Sequence, residues 1–582
     1  MQLVNAIAGR RRARPGDLNQ RRGISVAAYA LIFGAIAFLV IYPALTLLMT
    51  SFEADPFSPQ MTLSLGNWIA ALSQPRWTAA IVNTVTLGVT REAIALSIGV
   101  PLAWLIARTN LPGAGWLEFG FWVALFMPAL PVTLSWVLLA DQNIGVLNLL
   151  FQRITGSETA PFNIYSWWGI VWVHLMTSTL AVKVFLLVPA FRAMDAALED
   201  AARLCGASIP RMLRQVVVPL MLPTITVVML FGLIRSLQAF EIELILGYPA
   251  KIDVFSTAIY WAINSQPPGY GIASVLAVIF LGAIAPLVVL QQSLGAKRSH
   301  VTIAGKFSTR LQDLGRWRWW LFAAIGLLLC FMTILPFALL LAGSFMKQFG
   351  MFDLPQPWTF RNWQEAFGHS DIALAFWNSI RLAVFASATG MILYSLLAYL
   401  IVKTRFRFRR ALDFLTWLPA VIPGLVLGLG YLQMFSGTPL FRPIYGTMAV
   451  LVIAVVIGTL SLGTQIVKTS LLRLGSELEE AALTAGATPF GSFRRIILPL
   501  IAPAIAVVGL EVFATGMAVV GLVALLATGA TQPLAILQLA YLDNGLFEPA
   551  AVIGIVIMAL TVSAALLARH LGLKVGIGRP GV

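Results

Sequence analysis

Leu478–Pro503 reads LEEAALTAGATPFGSFRRIILPLIAP, and Leu198–Pro223, 280 residues earlier, reads LEDAARLCGASIPRMLRQVVVPLMLP. The two stretches align without a gap. Each is a polar island between apolar runs: acids and an alanine pair, a glycine, basic residues, then a proline opening the next run. Acids at the start of a short helix favour its positive dipole end. The alanines leave a flat surface for close packing, and Gly206 or Gly486 permits a sharp change of chain direction. Pro219 and Pro499 fall near the start of the following helix, where a proline costs least.

The surroundings of the islands decide the fold class. Of the 582 residues, 59% are aliphatic or aromatic and 11% are charged, and the mean hydropathy is +0.87. Soluble domains carry about 25% charged residues, so the chain reads as an all-α polytopic membrane protein. Apolar runs predict spans over roughly 25–50, 79–107, 117–140, 167–189, 216–246 and 272–290. In the second half they fall at 320–343, 373–402, 411–434, 446–468, 496–527 and 550–568, which makes twelve. The first run outlasts a signal peptide and lacks a small-residue cleavage site. Alternating sides from a cytoplasmic start puts 29 of the 39 basic residues inside and six outside, the asymmetry that the positive-inside rule requires. Both termini are therefore expected in the cytoplasm. The net charge of +15 follows from this topology and does not point to nucleic acid. Cys205 and Cys330 lie far apart and indicate no disulfide framework.

The repeat extends beyond the islands. Asn67-Trp68 recurs as Asn362-Trp363, Asn83-Thr84 as Asn378-Ser379, and Leu102-Ala103-Trp104-Leu105 as Leu397-Ala398-Tyr399-Leu400, all 295 residues on. The shift becomes 280 because the loop at 141–166 is longer than its counterpart. Six spans per half make the repeat parallel. The expected organisation is a basic cytoplasmic segment 1–23, a six-helix domain 24–292, a basic cytoplasmic linker 293–318 and a second six-helix domain 319–582.

The second island resembles the EAA loop of permease subunits of binding-protein-dependent ABC importers: Glu480-Ala481-Ala482, Gly486, Ile496 and Leu498-Pro499. The first is looser, with Asp200-Ala201-Ala202, Gly206, Val216 and Val218-Pro219. The chain as a whole looks like two such permease domains fused, most like the ferric-iron permeases in length, linker and the SLQAFEIELILG stretch. The resemblance implies that each island forms a coupling helix for a cytosolic ATPase subunit, through Glu199, Asp200, Ala201, Ala202 and Gly206 and through Glu479, Glu480, Ala481, Ala482 and Gly486. It also implies two ATPase subunits as a homodimer, an extracytoplasmic solute-binding protein, alternating access and a bacterial inner-membrane location. The competing reading of each island is an amphipathic helix on the lipid surface.

No phosphate-binding loop of the form G-x-x-x-x-G-K-[ST] occurs, and the four histidines are dispersed. The chain is thus expected to bind no cofactor and to hydrolyse nothing, with ATP and Mg used by the partner. Arg91, Glu92, Lys183, Arg235, Glu241, Glu243, Arg381 and Glu511 fall inside predicted spans, where a charge usually faces the bundle interior or a water-filled path. Glu241, Glu243 and Arg235 are the candidate path residues: Glu241 or Glu243 is expected to line the path near its outer mouth and meet a cationic or metal-bearing solute, the alternative being a carboxylate that snorkels or pairs with Arg235. Arg91, Lys183 and Glu511 are expected in structural pairs. Ferric iron is the first substrate expectation, with 2-aminoethylphosphonate, thiamine and polyamines as alternatives of the same architecture. An ion-coupled secondary transporter is the alternative from another class, but it has no use for paired islands.

Overall fold

The computed structural model describes residues 26–53, 62–296, 311–404, 407–475 and 477–570. The basic segment 1–23, most of the linker 293–318, and Lys574 and Arg579 lie outside the described residues. Among those described, regular structure is helical, with three isolated backbone bridges.

The first half runs α1 (Val26–Ser51), α2 (Pro75–Arg108), α3 (Ala114–Leu125), α4 (Ala129–Ala140) and α5 (Trp167–Arg192). The first island helix follows as α6 (Ala196–Leu204), then α7 (Ile209–Leu237), α8 (Glu241–Ala250), α9 (Phe255–Ile263) and α10 (Tyr270–Ala296). The second half runs α11 (Trp317–Ser344), α12 (Ser370–Lys403), α13 (Arg409–Ala420), α14 (Gly424–Gly437), α15 (Met448–Gly458) and α16 (Leu460–Leu472). Its island helix is α17 (Glu477–Thr484), followed by α18 (Phe493–Ala518), α19 (Leu534–Asp543) and α20 (Phe547–His570).

Among the described residues, nine helices are long and apolar enough to span, and twelve spans result only if three bent pairs each count as one. The expected spans 117–140, 411–434 and 446–468 are each broken, by 101° between α3 and α4, 106° between α13 and α14, and 52° between α15 and α16. Pro128 and Pro423 stand at the first two breaks. A proline removes a ladder hydrogen bond and pushes the residue before it out of the helical region. The spans expected to reach 246 and 527 stop at Leu237 and Ala518, and separate short helices follow.

The repeated dipeptides now have physical reasons. Asn83 donates to the Asp253 carbonyl (3.0 Å), and Asn378 donates to those of Ala530 and Gln532 (3.0 and 3.2 Å). The Thr84 hydroxyl accepts from the Phe255 amide and the Ser379 hydroxyl from the Leu534 amide, both at 2.7 Å. These are the first and equivalent amides of α9 and α19, orphan donors satisfied in the same way in each half. Asn67 and Asn362 close the turns after α1 and α11 through backbone carbonyls, and Trp68 and Trp363 stack on Phe52 and Phe345.

In the first half α2 packs against α5 and α7; in the second, α12 packs against α16 and α18. The first span of each half also embraces the other half: α1 packs on α10 and α14, and α11 on α20 and α4. No such packing joins α7 to α18, the two equivalent spans that follow the islands.

Candidate functional site

The islands fold alike. Each helix ends at a glycine of positive φ, +79° at Gly206 and +87° at Gly486. The Ala207 amide then donates to the Ala202 carbonyl and the Ala487 amide to the Ala482 carbonyl, both at 3.0 Å. This is a left-handed helix stop, satisfying carbonyls that would otherwise be orphaned. After one short helical turn each island inserts one π-turn, Leu213–Val217 and Phe493–Ile497, ahead of Pro219 and Pro499. A proline at the head of the next segment has no amide to give the preceding turn, and the wider turn accommodates it.

Within the first island the acids differ in placement. Glu199 is fully buried: its carboxylate takes the Trp104 indole N–H at 3.1 Å and pairs with Arg108 at 3.1 Å. It anchors α6 to the end of α2. Asp200 is half-buried and accepts from the Gln312 amide at 3.4 Å. Leu198, Ala201, Leu204 and Gly206 are exposed, with Ala202 half-buried. In the second island Leu478, Ala481, Thr484 and Gly486 are exposed and Ala482 is buried. The side chains of Glu479 and Glu480 lie outside the described residues. Each island thus presents an exposed face of small and apolar residues at equivalent positions.

The intramembrane charges form a network in the first half. Arg91 of α2 pairs with Glu243 of α8 at 3.0 Å, and His174 of α5 meets the same carboxylate oxygen at 2.8 Å. Glu92, next to Arg91 in α2, pairs with Lys183 of α5 at 2.8 Å. All five side chains are buried. Gly232 of α7 makes room for the second pair, since a Cβ there would overlap the Lys183 ammonium and both Glu92 oxygens. Each buried charge is therefore paired, as an apolar interior requires.

This corrects the expectation for Glu243, whose side chain is 2% exposed and serves as the counter-ion of Arg91. A carboxylate so enclosed lines no open path. Glu241, at the start of α8, is half-buried. Neither acid pairs with Arg235. Arg235 is exposed within α7 and stacks on the Phe231 ring at 5.8 Å. Glu511 of α18 is half-buried and takes the Thr515 hydroxyl at 3.5 Å. His174 is not legible as a site residue in the sequence, because a lone histidine in an apolar run carries no local signal of its partner.

Comparison with known proteins falls on both halves. The family described as binding-protein-dependent transport system inner membrane component matches residues 99–300 and again 386–577. The ferric transport system permease protein FbpB of Actinobacillus pleuropneumoniae is 24% identical over 519 residues, covering 87% of this chain and 72% of that one. The Fe(3+)-transport system permease protein FbpB 2 of Haemophilus influenzae is 22% identical over 453 residues, 75% of this chain and 79% of that one. The molybdenum transport system permease protein ModB of Escherichia coli is 28% identical over 220 residues, 36% of this chain but 88% of its own. Matched twice, over more than half its length, this chain belongs to the binding-protein-dependent transport system inner membrane components and is an ABC importer permease with two permease domains on one polypeptide.

Proposed function

We propose that this permease imports ferric iron across a bacterial inner membrane by alternating access. Two identical ATPase subunits hydrolyse ATP with Mg on the cytosolic side, and a separate extracytoplasmic protein delivers the solute. The observation that carries this reading is the pair of islands. They share one helix, one left-handed glycine stop and one exposed face of small residues, so each offers an equivalent seat to one of two like partners. In this reading both islands and both termini are cytoplasmic. Burial of Glu199 against Arg108 and Trp104 makes α6 rigid with α2, so that a pull on the seat moves a span. Ferric iron as the cargo draws support from the two ferric permeases that align along most of the chain.

The test is reconstitution of the chain with its ATPase subunits and binding protein in proteoliposomes. ATP-driven uptake of radiolabelled ferric iron that persists with an uncoupler is expected. Uptake that needs an ion gradient, or failure of any ATPase subunit to co-purify, would overturn the reading.

A further inference from the structure

The two spans that follow the islands, α7 and α18, are related by the 280-residue repeat, which brings Phe231 into register with Glu511 and Arg235 with Thr515. Residues four apart share a helix face, so Arg235 and Glu511 lie on equivalent faces of equivalent spans. A twofold axis between two such spans turns those faces toward each other, and the charge of Arg235 indeed reaches Glu511. The side chain of Arg235 leans back over Phe231, toward the level of Glu511.

Just beyond this level, away from the islands, the halves close on each other. Gln238 donates to the Ala420 carbonyl at 3.0 Å, and Phe240 packs on Gly521. Leu522, next in the chain, fits against Gly424, Gly428 and Gly458 of its own half. Arg235 thus stands on the island side of a closed contact, exposed, with its guanidinium over the Phe231 ring. Of the other charges singled out in the first half, Arg91, Glu92, Lys183 and Glu243 are consumed in buried pairs. An exposed guanidinium in an apolar span belongs where water or a solute reaches it.

We propose that Arg235 is the permease's contact for an anionic group on the solute, held beneath the closed outer contact, with Glu511 opposing it. This rests on the importer reading and deepens it. A bare trivalent cation is repelled at this site, so iron crosses with an anionic ligand attached. The planar fork of Arg suits a carboxylate or phosphate bidentately, and Glu511 limits retention by competing for the same guanidinium.

The test uses the full chain in lipid nanodiscs, titrated calorimetrically with inorganic phosphate and with citrate, alongside ATP-driven uptake by the assembled complex. Wild type is expected to bind both probes. Arg235→Gln weakens binding tenfold or more, Arg235→Lys keeps it within about threefold, and Glu511→Gln strengthens it. Equal affinity in wild type and Arg235→Gln overturns the site, as does a wild-type chain that binds neither probe yet supports uptake. Arg235-dependent binding without any ATP-driven uptake leaves the site standing and overturns the importer reading instead. Melting of the Arg235→Gln chain within a few degrees of wild type shows that the loss is local.

Discussion

Lys183 and Gly99 meet where α2 crosses α5, and a Cβ on Gly99 would press into the Lys183 stem. At the equivalent crossing of α12 and α16 the sizes are exchanged: Tyr394 stands where Gly99 was, and Gly463 where Lys183 was. Tyr394 satisfies its hydroxyl on the Val456 carbonyl (2.6 Å) and Thr459 (2.8 Å), so this crossing needs no counter-ion. The register of the repeat likewise puts Ala386, Ser387, Ala454 and Val523 at the positions of Arg91, Glu92, His174 and Glu243. One half therefore closes its core with ion pairs and the other with hydroxyls and ring packing. Removing one partner of a buried pair costs about 3–5 kcal/mol, whereas replacing both by apolar groups is near neutral. Lys183→Met is accordingly expected to lower the melting temperature of the purified chain markedly, and Lys183→Met with Glu92→Met to recover most of the loss. Equal melting of the single and double variants would refute the pairing as the source of the cost.

At the scale of the element, the islands depend on their left-handed stops. Nothing lies within 4 Å of a Cβ built on Gly206 or Gly486, so the backbone conformation alone constrains these positions. A β-branched residue is a poor occupant of that region, whereas asparagine visits it. Gly486→Val should abolish uptake while the chain still inserts, and Gly486→Asn should keep much of it; equal uptake by the two would remove the constraint. Beside the first island a strap crosses the end of α2: the Gln312 amide donates to the Arg108 carbonyl at 2.8 Å and the Asn110 amide to the Gln312 carbonyl at 3.0 Å. Asp313 accepts from the Gly315 amide and the Asn110 side chain, which together hold its carboxyl below the ordinary 3.8. A depressed folded value means that this contribution is complete above about pH 3.8 and is lost as pH falls through the lower value. Hydrogen exchange at Gly315 should stay slow down to that range and speed up below it, and Asp313→Asn should flatten the dependence. A wild-type profile identical to that of Asp313→Asn would contradict the strap.

For the whole molecule, what could be read in advance follows from how each feature is encoded. The repeat was legible because Asn83-Thr84 and Asn378-Ser379 do one local job twice, and local jobs recur as local words. Span number was legible only as a sum, since hydropathy counts residues without direction and the bends at Pro128 and Pro423 leave it unchanged. Arg91 and Glu243 stand 152 residues apart on different helices, so no period relates them and their pairing needed the fold. The contact of Phe240 with Gly521 was equally hidden, yet it is where the two halves shut above Arg235. If alternating access is the motion of this permease, these residues must separate in every cycle, while packing inside each half persists. Phe240→Cys with Gly521→Cys should therefore oxidise to a disulfide that stops uptake and releases it on reduction. The native Cys205 and Cys330 are free thiols and would be replaced by serine beforehand. As a control, Gly88→Cys with Ser236→Cys joins α2 to α7 inside one half, where a Cβ built on Gly88 lies 3.6 Å from that of Ser236, within disulfide reach. That bridge should leave uptake largely intact. Full uptake through an oxidised 240–521 bridge would mean that the two halves do not part there.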